Sequence, residues 1–507
     1  MTRAGARYNV GQFQGVRVMR SGRRRVVGLV ALAAMLASCG GGDGGGSGGS
    51  GFGGSTGTAP TPSPSPSPSS SGSCSLRARQ DWVLAQMREW YLFPDTLPAS
   101  IDPSRYGDVD TFLDALTATA RAQNKDRYFT YLTSVKEENA YYGSGTTAGF
   151  GVRLTLDRSN RLLVTESFEG GPALAANVDR GAQIDAVGTS SSNLRTVSSL
   201  LSSGNTDALN DALGPDTPGT TRVFRVIDTS GTRVVTLSKA DFSLAPVSPR
   251  YGYKVIDDGG RKVGYVNLRT FISTADDQLR TAFGVFRAQG ITNVIVDLRY
   301  NGGGLLATAE TFTDLLGGAR STSDVQTYIA FRPSKSSNDE TIYFGREANA
   351  ITPTKVAFIG TEGTASASEY VINAMIPYLH GNAALIGSNT YGKPVGQIPL
   401  DNPACPDDRL RVIALALQNA ARQGDYYNGL AGKVEASCQA SDDLTRPLGD
   451  ANEASVRAAL NYLGGRGCTP IGASASAQRT AGLTAQARTL LTPGRPRTAQ
   501  RETPGLY

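Results

Sequence analysis

Two serines and a lysine in the second half of the chain have the residue types and spacing for nucleophilic catalysis. The serines lie in the run TASASE (364–369), and the lysine follows in YGKPVGQ (391–397). Residues 355–360 form an apolar, β-branched run that predicts a strand, and residues 369–379 have helical spacing. The pattern therefore places a serine at a turn from strand to helix, where the unpaired N–H groups of a helix start can stabilise a developing oxyanion.

Such a serine needs a general base, and histidine is the usual one. The only histidine of the sequence is His380, which lies at the far end of the predicted helix, roughly 20 Å away at 1.5 Å rise per residue. A Ser-His-Asp triad is therefore not expected. Lysine can replace histidine where burial lowers its pKa, and Lys393 is flanked by glycine, proline and valine. From spacing alone, the alternative stays open that the small residues only cap a helix and that Lys393 is a solvated charge.

Three motifs in this order resemble those of the carboxyl-terminal processing, or tail-specific, serine proteases: DLRYNGGGL (297–305), TASASE (364–369) and YGKPVGQ (391–397). The resemblance implies that Ser366 is the nucleophile, with Ser368 as its competitor. It also implies that Lys393 is the general base and that Gln397 orients the lysine. An α/β catalytic core with crotonase-like ββα layers follows from the same resemblance.

In that family the oxyanion hole consists of backbone N–H groups. Here the resemblance assigns them to Ala367 and to the glycine run, with Gly304 and its neighbour Gly303 as candidates, because glycine permits a close backbone approach. The chain departs from the family at Tyr300, where asparagine is common, and the segment between the helix and the lysine is slightly longer. Neither departure touches a proposed catalytic group.

A second resemblance precedes these motifs, because residues 149–241 are similar to a PDZ domain. Gly149, Phe150, Gly151 and Val152 would form its loop for the C-terminal carboxylate of a peptide, while the peptide adds a strand to the sheet edge. The alternative is that GFG is an ordinary hairpin approach in a domain that only packs against the catalytic part. We expect an inserted PDZ-like β domain at residues 146–243.

The remaining patterns outline the other ordered domains. Helical spacing from Asp81 to about Tyr142 predicts an N-terminal helical domain, which we place at residues 74–145. Strands and helices alternate after the PDZ-like domain, which indicates an α/β layer fold, and the catalytic domain is placed at 244–469. Beyond Pro470 the composition turns to alanine, threonine, arginine and proline, and residues 470–507 are predicted to be a disordered tail.

The start of the chain predicts export. Residues 1–38, with Met1 or Met19 as the first residue, end in a basic and then an apolar stretch that is typical of a signal peptide and too short to span a membrane stably. The segment finishes in LASC, which resembles a bacterial lipobox and favours lipidation of Cys39 over an ordinary signal helix. Residues 39–73, rich in glycine, serine and proline, are predicted to be a tether, and Gly40 favours outer-membrane delivery.

Composition bounds the partners and cofactors. The 507 residues, 39% hydrophobic and 19% charged, are ordinary for a soluble protein of two or three domains. The net charge of +6 comes largely from arginines near both termini and does not argue for nucleic acid. The four cysteines besides Cys39 suggest disulfides in an oxidising compartment, with Cys405–Cys438 and Cys74–Cys468 expected among three pairings. No C-x-x-C pair occurs, so no metal and no other cofactor is expected.

Together these observations predict a serine endopeptidase with a Ser/Lys dyad, lipid-anchored and facing the periplasm. Its partners would be protein or peptide substrates with free C-termini, and the membrane through its anchor. Two alternatives stay open: a catalytically inactive PDZ-containing scaffold or ligand-binding protein, and an esterase or amidase that uses the same dyad.

Overall fold

A computed structural model describes residues 74–472 and 488–507. The predicted signal peptide, the predicted lipid attachment at Cys39 and the predicted tether at 39–73 lie outside the described residues. In the described part of the chain, no helix is long and apolar enough to cross a bilayer.

The N-terminal region is mainly helical, as its spacing predicts. Ser75 accepts a hydrogen bond from the backbone N–H of Ala78 and Asp108 accepts one from that of Thr111, so each of the first two helices begins at a side-chain cap. Apolar residues such as Val83 on the first helix pack into the main hydrophobic core. The elements are α1 (Leu76–Trp90), α2 (Val109–Ala122), β1 (Tyr131–Ser134) and α3 (Val135–Ser144).

A β domain is inserted next, and it has a hydrophobic core of its own. Its chain enters on β2 and leaves on β9, which pair antiparallel and close the domain at its base. The main sheet runs in the order β3-β4-β5-β7-β8, with β6 beside β5. We call residues 146–243 the inserted domain; its elements are β2 (Thr146–Gly149), β3 (Val152–Asp157), β4 (Leu162–Ser167), α4 (Pro172–Ala175), β5 (Gln183–Gly188), β6 (Arg195–Thr196), α5 (Val197–Leu200), α6 (Asp207–Leu213), β7 (Thr221–Asp228), β8 (Gly231–Ser238) and β9 (Ala240–Ser243).

The remaining elements build the catalytic region, where strands and helices alternate as expected. They are β10 (Tyr253–Asp258), β11 (Arg261–Asn267), α7 (Ala275–Ala288), β12 (Asn293–Asp297), α8 (Leu306–Leu316), β13 (Val325–Phe331), β14 (Glu340–Tyr343), β15 (Lys355–Gly360), α9 (Ala367–Leu379), β16 (Ala383–Gly387), β17 (Val395–Asp401), β18 (Asp408–Gln418), β19 (Ala436–Gln439) and α10 (Ala454–Leu463).

Two sheets of the catalytic region bring the site together. One has the order β10-β11-β12-β15-β16-β19, with parallel pairs from β11 to β19. Because the carboxyl ends of parallel strands meet at one edge, the loops that follow β12 and β15 lie side by side there. The other sheet, of β1, β18, β13 and β14 with β17 on β18, is antiparallel and carries the lysine loop at the start of β17.

The predicted disorder of residues 470–507 is wrong for residues 488–507, which we call the C-terminal segment. It contains β20 (Arg488–Leu490), which pairs with β3, and α11 (Thr498–Glu502). Leu491, Leu506 and Tyr507 of this segment are buried. The polar composition misled the prediction because three apolar side chains and one strand pairing hold the segment in place.

The expected disulfide pairing is also wrong. The structure joins Cys74 to Cys405 and Cys438 to Cys468. Arg79 on α1 forms an ion pair with Asp408 on β18, which brings the start of α1 beside the turn that contains Cys405. Cys438 lies on β19, and the helix α10 that packs on this sheet leads the chain back to Cys468. The pairing follows from these packing contacts, which the spacing of the cysteines does not encode.

Candidate active site

Ser366 occupies a strained turn between β15 and α9. Its backbone has φ +55° and ψ −115°, a region that residues with a Cβ rarely adopt and that recurs at functional sites. The turn is fixed to the neighbouring loop because Thr364 Oγ1 donates to Leu298 O at 2.9 Å and Ala365 N donates to Asn301 O at 3.0 Å. Ser366 remains 8% exposed, so its hydroxyl lies near the surface of a rigid frame.

The buried carboxylate of Glu369 joins the serine turn to the lysine loop. Its Oε2 accepts hydrogen bonds from the backbone N–H groups of Ser366 at 3.0 Å and Lys393 at 2.7 Å. Its Oε1 accepts from Gly392 N at 2.7 Å and Thr390 Oγ1 at 2.6 Å. Burial raises the pKa of Glu369, while these four donors oppose that rise. The carboxylate positions Ser366 and Lys393 relative to each other.

Lys393 lies just before β17, in a pocket formed by apolar and amide groups. Its Nζ donates to Gln397 Oε1 at 2.9 Å and lies 5.2 Å from the centre of the Phe129 ring. The amide nitrogen of Gln397 donates to the carbonyl of Phe129. Gln397 is on strand β17, at an irregularity of the strand register beside Gly396. This β-bulge turns the amide toward the lysine.

The ammonium of Lys393 is disfavoured at this position. Burial lowers the pKa of Lys393 from its ordinary value, and the nearby carboxylate of Glu502 opposes that effect. Lys393 Nζ donates a hydrogen bond to Gln397. Among the described residues, no hydrogen bond joins Lys393 Nζ to Ser366 Oγ. Catalytic hydrogen bonds are often long in structures without substrate, so this geometry is compatible with a base.

The glycine run after β12 lies against the serine turn. Gly303 and Gly304 have φ of +124° and +136°, which glycine tolerates and other residues do not. A Cβ on Gly303 would lie 2.7 Å from Ser366 Cβ, and one on Gly304 would lie 2.1 Å from Phe271 O. The N–H of Gly303 already donates to Asn301 Oδ1 at 3.0 Å. The N–H groups of Gly304 and Ala367 have no partner among the described residues, and these two can face an oxyanion.

Ser368, the competing serine, is directed away from the lysine loop. It is fully buried, and its hydroxyl donates to Asn301 O at 2.9 Å. The hydrogen bond from Ser368 to Asn301 helps to hold the glycine loop in place. The environment of Ser368 is therefore structural, while that of Ser366 is open to the site.

Comparison with protein families assigns this region. The model of peptidase family S41 matches residues 262–418, and that of the peptidase S41 N-terminal domain matches residues 78–131. Residues 262–418 are therefore similar to peptidase family S41. The larger match includes the glycine loop, Ser366 and Lys393, and the smaller one includes α1 and α2.

Proteins similar to this chain include carboxyl-terminal-processing peptidases. The chain is 28% identical over 337 residues to the chloroplastic carboxyl-terminal-processing peptidase 3 of Arabidopsis thaliana, covering 65% of this chain and 61% of the relative. It is 27% identical over 259 residues to the carboxyl-terminal-processing protease of a Synechocystis strain, covering 49% and 54%. The chain thus matches 61% and 54% of the length of these two relatives.

A solved structure shares the fold. The crystal structure of a Bacteroides fragilis protein assigned to the S41 proteases superposes with a TM-score of 0.58 at 25% sequence identity. The match covers 76% of this chain and 97% of that protein. Mixed α/β sheets with an N-terminal helical segment are therefore shared with a member of the family.

The four residues predicted to bind peptide ends, Gly149 to Val152, form the turn from β2 into β3. The backbone of Val152 exchanges hydrogen bonds with Tyr507 at 3.2 Å and 2.9 Å, while Phe150 is buried and packs edge-on to Phe224. A Cβ on Gly151 would lie 2.6 Å from Gly171 Cα, so the turn requires glycine there. The Phe150 side chain therefore belongs to the core, and the edge beside the turn is occupied by this chain's own Tyr507.

Sequence reasoning missed the buried ion pairs that connect the inserted domain to the catalytic region of the S41 fold. Arg269, which follows β11, contacts Glu166 on β4 at 2.7 Å, and Glu166 also contacts Arg153 on β3 at 2.6 Å. Each of these side chains is 1% exposed. Removing one partner would leave an unpaired buried charge, so the network fixes the orientation of the domain. No local motif signals it, because each partner comes from a different element.

The histidine and one cluster of possible metal ligands lie apart from the serine site. His380 lies at the end of α9, where its exposed side chain contacts Glu435 at 2.9 Å, and it takes no part in the serine site. Among the described residues, Cys74, Cys405 and Asp408 come close enough to hold a metal, but the two sulfurs form a disulfide. Cysteines joined in this way cannot supply the thiolates that a metal site needs.

Proposed function

We propose that this protein is a serine endopeptidase of the carboxyl-terminal processing type, with Ser366 as nucleophile and Lys393 as general base. One observation carries the proposal: a single carboxylate oxygen of Glu369 binds the backbone N–H groups of both residues. The strained serine and the desolvated lysine thus belong to one rigid site. The similarity to carboxyl-terminal-processing peptidases supports the same activity.

The reaction would proceed through an acyl-enzyme. Lys393, neutral at the working pH, takes the proton of the Ser366 hydroxyl as its oxygen attacks the substrate carbonyl carbon. The N–H groups of Gly304 and Ala367 stabilise the oxyanion that forms. Lys393 then gives the proton to the leaving amine, and water hydrolyses the ester. Gln397 orients the lysine through its Oε1 without adding a negative charge.

The inserted domain would select substrates as a PDZ-type module. Its edge at β3, which residues 488–490 and 505–507 occupy in this structure, could accept a peptide as an added strand in their place, and the turn at Gly149 to Val152 could receive the end of that peptide. The layered catalytic region fits the crotonase-like arrangement that the sequence resemblance implies. Both assignments belong to the proposal.

The selection of tails has a direct test with pairs of synthetic peptides that differ only in a C-terminal acid or amide. We expect the amide to lower kcat/KM about tenfold, because it removes the charge that backbone N–H groups would bind. Peptides with a charged, unrelated tail serve as the control, since their acid and amide forms should be cleaved equally slowly. Equal kcat/KM for the acid and amide of an apolar tail would contradict selection by the free C-terminus.

We also propose that the protein is exported and held at the periplasmic side of a membrane, in the outer membrane by preference, through lipid on Cys39. The basis is the LASC sequence that ends at Cys39 and the firm anchoring that two or more acyl chains provide. We expect the mature protein to partition into detergent, and Cys39→Ala to become soluble or stay unprocessed. Mass spectrometry of the N-terminal peptide checks this, and an unmodified Cys39 would exclude the anchor.

A further inference from the structure

The C-terminal segment runs along the edge of the inserted domain that a ligand would use. β20 pairs antiparallel with β3, placing Thr489 opposite Leu156, and Leu491 N then donates to Leu154 O at 3.0 Å. Leu491 is buried in the core of the inserted domain. The first part of the segment thus completes the sheet at its open edge.

The last three residues return to the same edge after α11. Leu154 N donates to Gly505 O at 2.8 Å, and Tyr507 exchanges two backbone hydrogen bonds with Val152, at 3.2 Å and 2.9 Å. A Cβ on Gly149 would lie 2.7 Å from the carbonyl carbon of Tyr507. Residues 505–507 therefore lie along the edge of β3 at Val152–Leu154, which we call the groove. Tyr507 meets the turn predicted to receive a peptide terminus.

The tyrosine side chain fills a specific pocket in this groove. Tyr507 is 3% exposed and belongs to the core of the inserted domain. Its hydroxyl donates to Asn210 Oδ1 on α6 at 2.6 Å. An apolar ring pocket with one half-buried acceptor beside it favours tyrosine over phenylalanine or leucine by the hydrogen bond that only tyrosine can donate.

In the chain, α11 lies between β20 and residues 505–507, and it contacts the serine site. The backbone carbonyl of Glu502 accepts from Gly302 N at 2.9 Å, and its side chain accepts from Tyr142 OH at 2.8 Å. A Cβ built on Gly303 would lie 2.7 Å from Ser366 Cβ, 3.2 Å from Ala367 N and 3.2 Å from Glu502 Oε2. The Glu502 carboxylate therefore lies close to the turn that carries Ser366.

The charge of Glu502 also acts on the base. The carboxylate opposes the lowering of the Lys393 pKa by burial, and Lys393 in turn opposes the burial that raises the pKa of Glu502. A lysine beside this anion holds its proton more tightly and is a poorer base. Arg153 adds a link to the domain interface, because its Nε donates to Pro504 O at 3.1 Å while its guanidinium pairs with Glu166.

The segment has the contacts of an inhibitor and lacks those of a substrate. A serine protease substrate presents an extended backbone to the nucleophile, whereas residues 498–502 form a helical turn that places a side-chain carboxylate near the serine turn. We propose that the C-terminal segment is an intramolecular inhibitor that fills the groove and the serine site together, and that the groove binds polypeptide segments that place a tyrosine in the pocket of Tyr507. This inference rests on the proposed endopeptidase function for its catalytic half only.

Displacement of the segment is then the step that opens the site. A polypeptide segment that binds the groove removes Gly505 to Tyr507 from β3, and the short connection of two residues between Glu502 and Gly505 draws α11 with it. The competition is between a tethered and a free ligand, so weakening the tethered one strengthens apparent binding of the free one. Asn210 is the residue that sets the preference for tyrosine.

Binding and hydrolysis can be measured separately to test this. A fluorescent peptide with the sequence of residues 498–507 is titrated into the full-length protein carrying Ser366→Ala, so that nothing is cleaved. We expect Tyr507→Ala in that background to lower the apparent Kd of the peptide at least about tenfold, because it vacates the pocket. Val234→Ala, an exposed apolar truncation on the far edge strand β8 of the same sheet, should leave the Kd unchanged.

The catalytic half uses the same substitutions with Ser366 intact. Tyr507→Ala and Glu502→Gln should each raise the hydrolysis rate of a tyrosine-ended peptide several-fold, and Glu502→Gln should also lower the midpoint of the pH profile. If Tyr507→Ala does not fold, Tyr507→Phe, which loses only the hydroxyl bond to Asn210, decides by the same Kd comparison. A peptide with phenylalanine in place of its last tyrosine should bind more weakly than the parent peptide.

The outcomes separate the two proposals. An unchanged Kd in the folded Tyr507 variant, or hydrolysis rates unaffected by both substitutions, contradicts the inhibitor proposal. The endopeptidase proposal is unaffected by either result. A lowered Kd without hydrolysis by any variant supports the occupied groove and refutes the endopeptidase function. A lowered Kd together with faster hydrolysis supports both.

Discussion

Ser366→Ala is expected to abolish peptide hydrolysis, with a loss of at least about 10³-fold in kcat. The substitution removes the attacking oxygen, and no other described hydroxyl can replace it, since that of Ser368 is buried and donates to Asn301. The Ser366 hydroxyl takes part in the capping box of α9 as the acceptor for the backbone N–H of Glu369, but the fold should be preserved because the N–H of Ser366 still donates to the Glu369 carboxylate. The measurement is kcat on a fluorogenic peptide together with thermal melting.

Ser368→Ala is the matched control for this experiment. It removes one hydroxyl from the same turn, two residues further along, and costs the single hydrogen bond to Asn301 O. We expect a modest loss of stability, about 1 kcal/mol, with measurable turnover. Full activity in Ser366→Ala would overturn the assignment of the nucleophile, and inactivity confined to a folded Ser368→Ala would transfer the role to Ser368.

The elements around the serine could be predicted because each depends on local pattern. The strand at Lys355–Gly360 has the bounds that the spacing predicts, and the helix predicted over 369–379 is observed at Ala367–Leu379. In both, a continuous or periodic run of apolar residues matches a single buried face. The glycine loop was found through its family motif, and the positive φ of Gly303 and Gly304 shows why glycine is needed there.

The connections that the sequence did not predict depend on partners far apart in the chain. Glu369 is part of the TASASE motif, but its role in positioning Ser366 and Lys393 depends on N–H groups that only the folded loop at 390–393 brings to its carboxylate. The disulfides depend on how α1 and α10 pack, and the order of residues 488–507 depends on an open strand edge in a domain more than 300 residues earlier. Spacing and composition describe a segment by itself, and they do not report the surface against which it packs.

The base is tested by the pH dependence of peptide hydrolysis. An ordinary lysine, with a pKa of about 10.4, is almost wholly protonated at neutral pH and cannot accept the Ser366 proton. Burial lowers the pKa of Lys393, and only its neutral form acts as a base, so kcat/KM should rise with pH through one ionisation below the ordinary lysine value. The Glu502→Gln enzyme should show this ionisation at lower pH than the parent, because one opposing negative charge is gone.

Lys393→Arg is expected to lose about 10²- to 10⁴-fold in kcat at every pH tested. The guanidinium stays protonated across this range and keeps the positive charge of the site, so the variant separates loss of the base from loss of charge. Folding is checked by thermal melting, because the larger side chain must fit beside Phe129. An active and folded Lys393→Arg enzyme would rule out the dyad, whatever the result for Ser366.

Gln397→Glu tests the pocket around the base while keeping its shape. The parent amide accepts the Nζ hydrogen bond at 2.9 Å as a neutral group, whereas a carboxylate at that distance favours the ammonium and raises the pKa of Lys393. Activity at neutral pH should therefore fall, and it should recover as the pH is raised through the shifted ionisation. A uniform loss with an unshifted midpoint would mean that Gln397 only packs against Phe129 and does not tune the base. The shifted midpoint is a result that a purely structural role for Gln397 cannot produce, because loss of packing lowers the rate without changing which protonation state of Lys393 reacts.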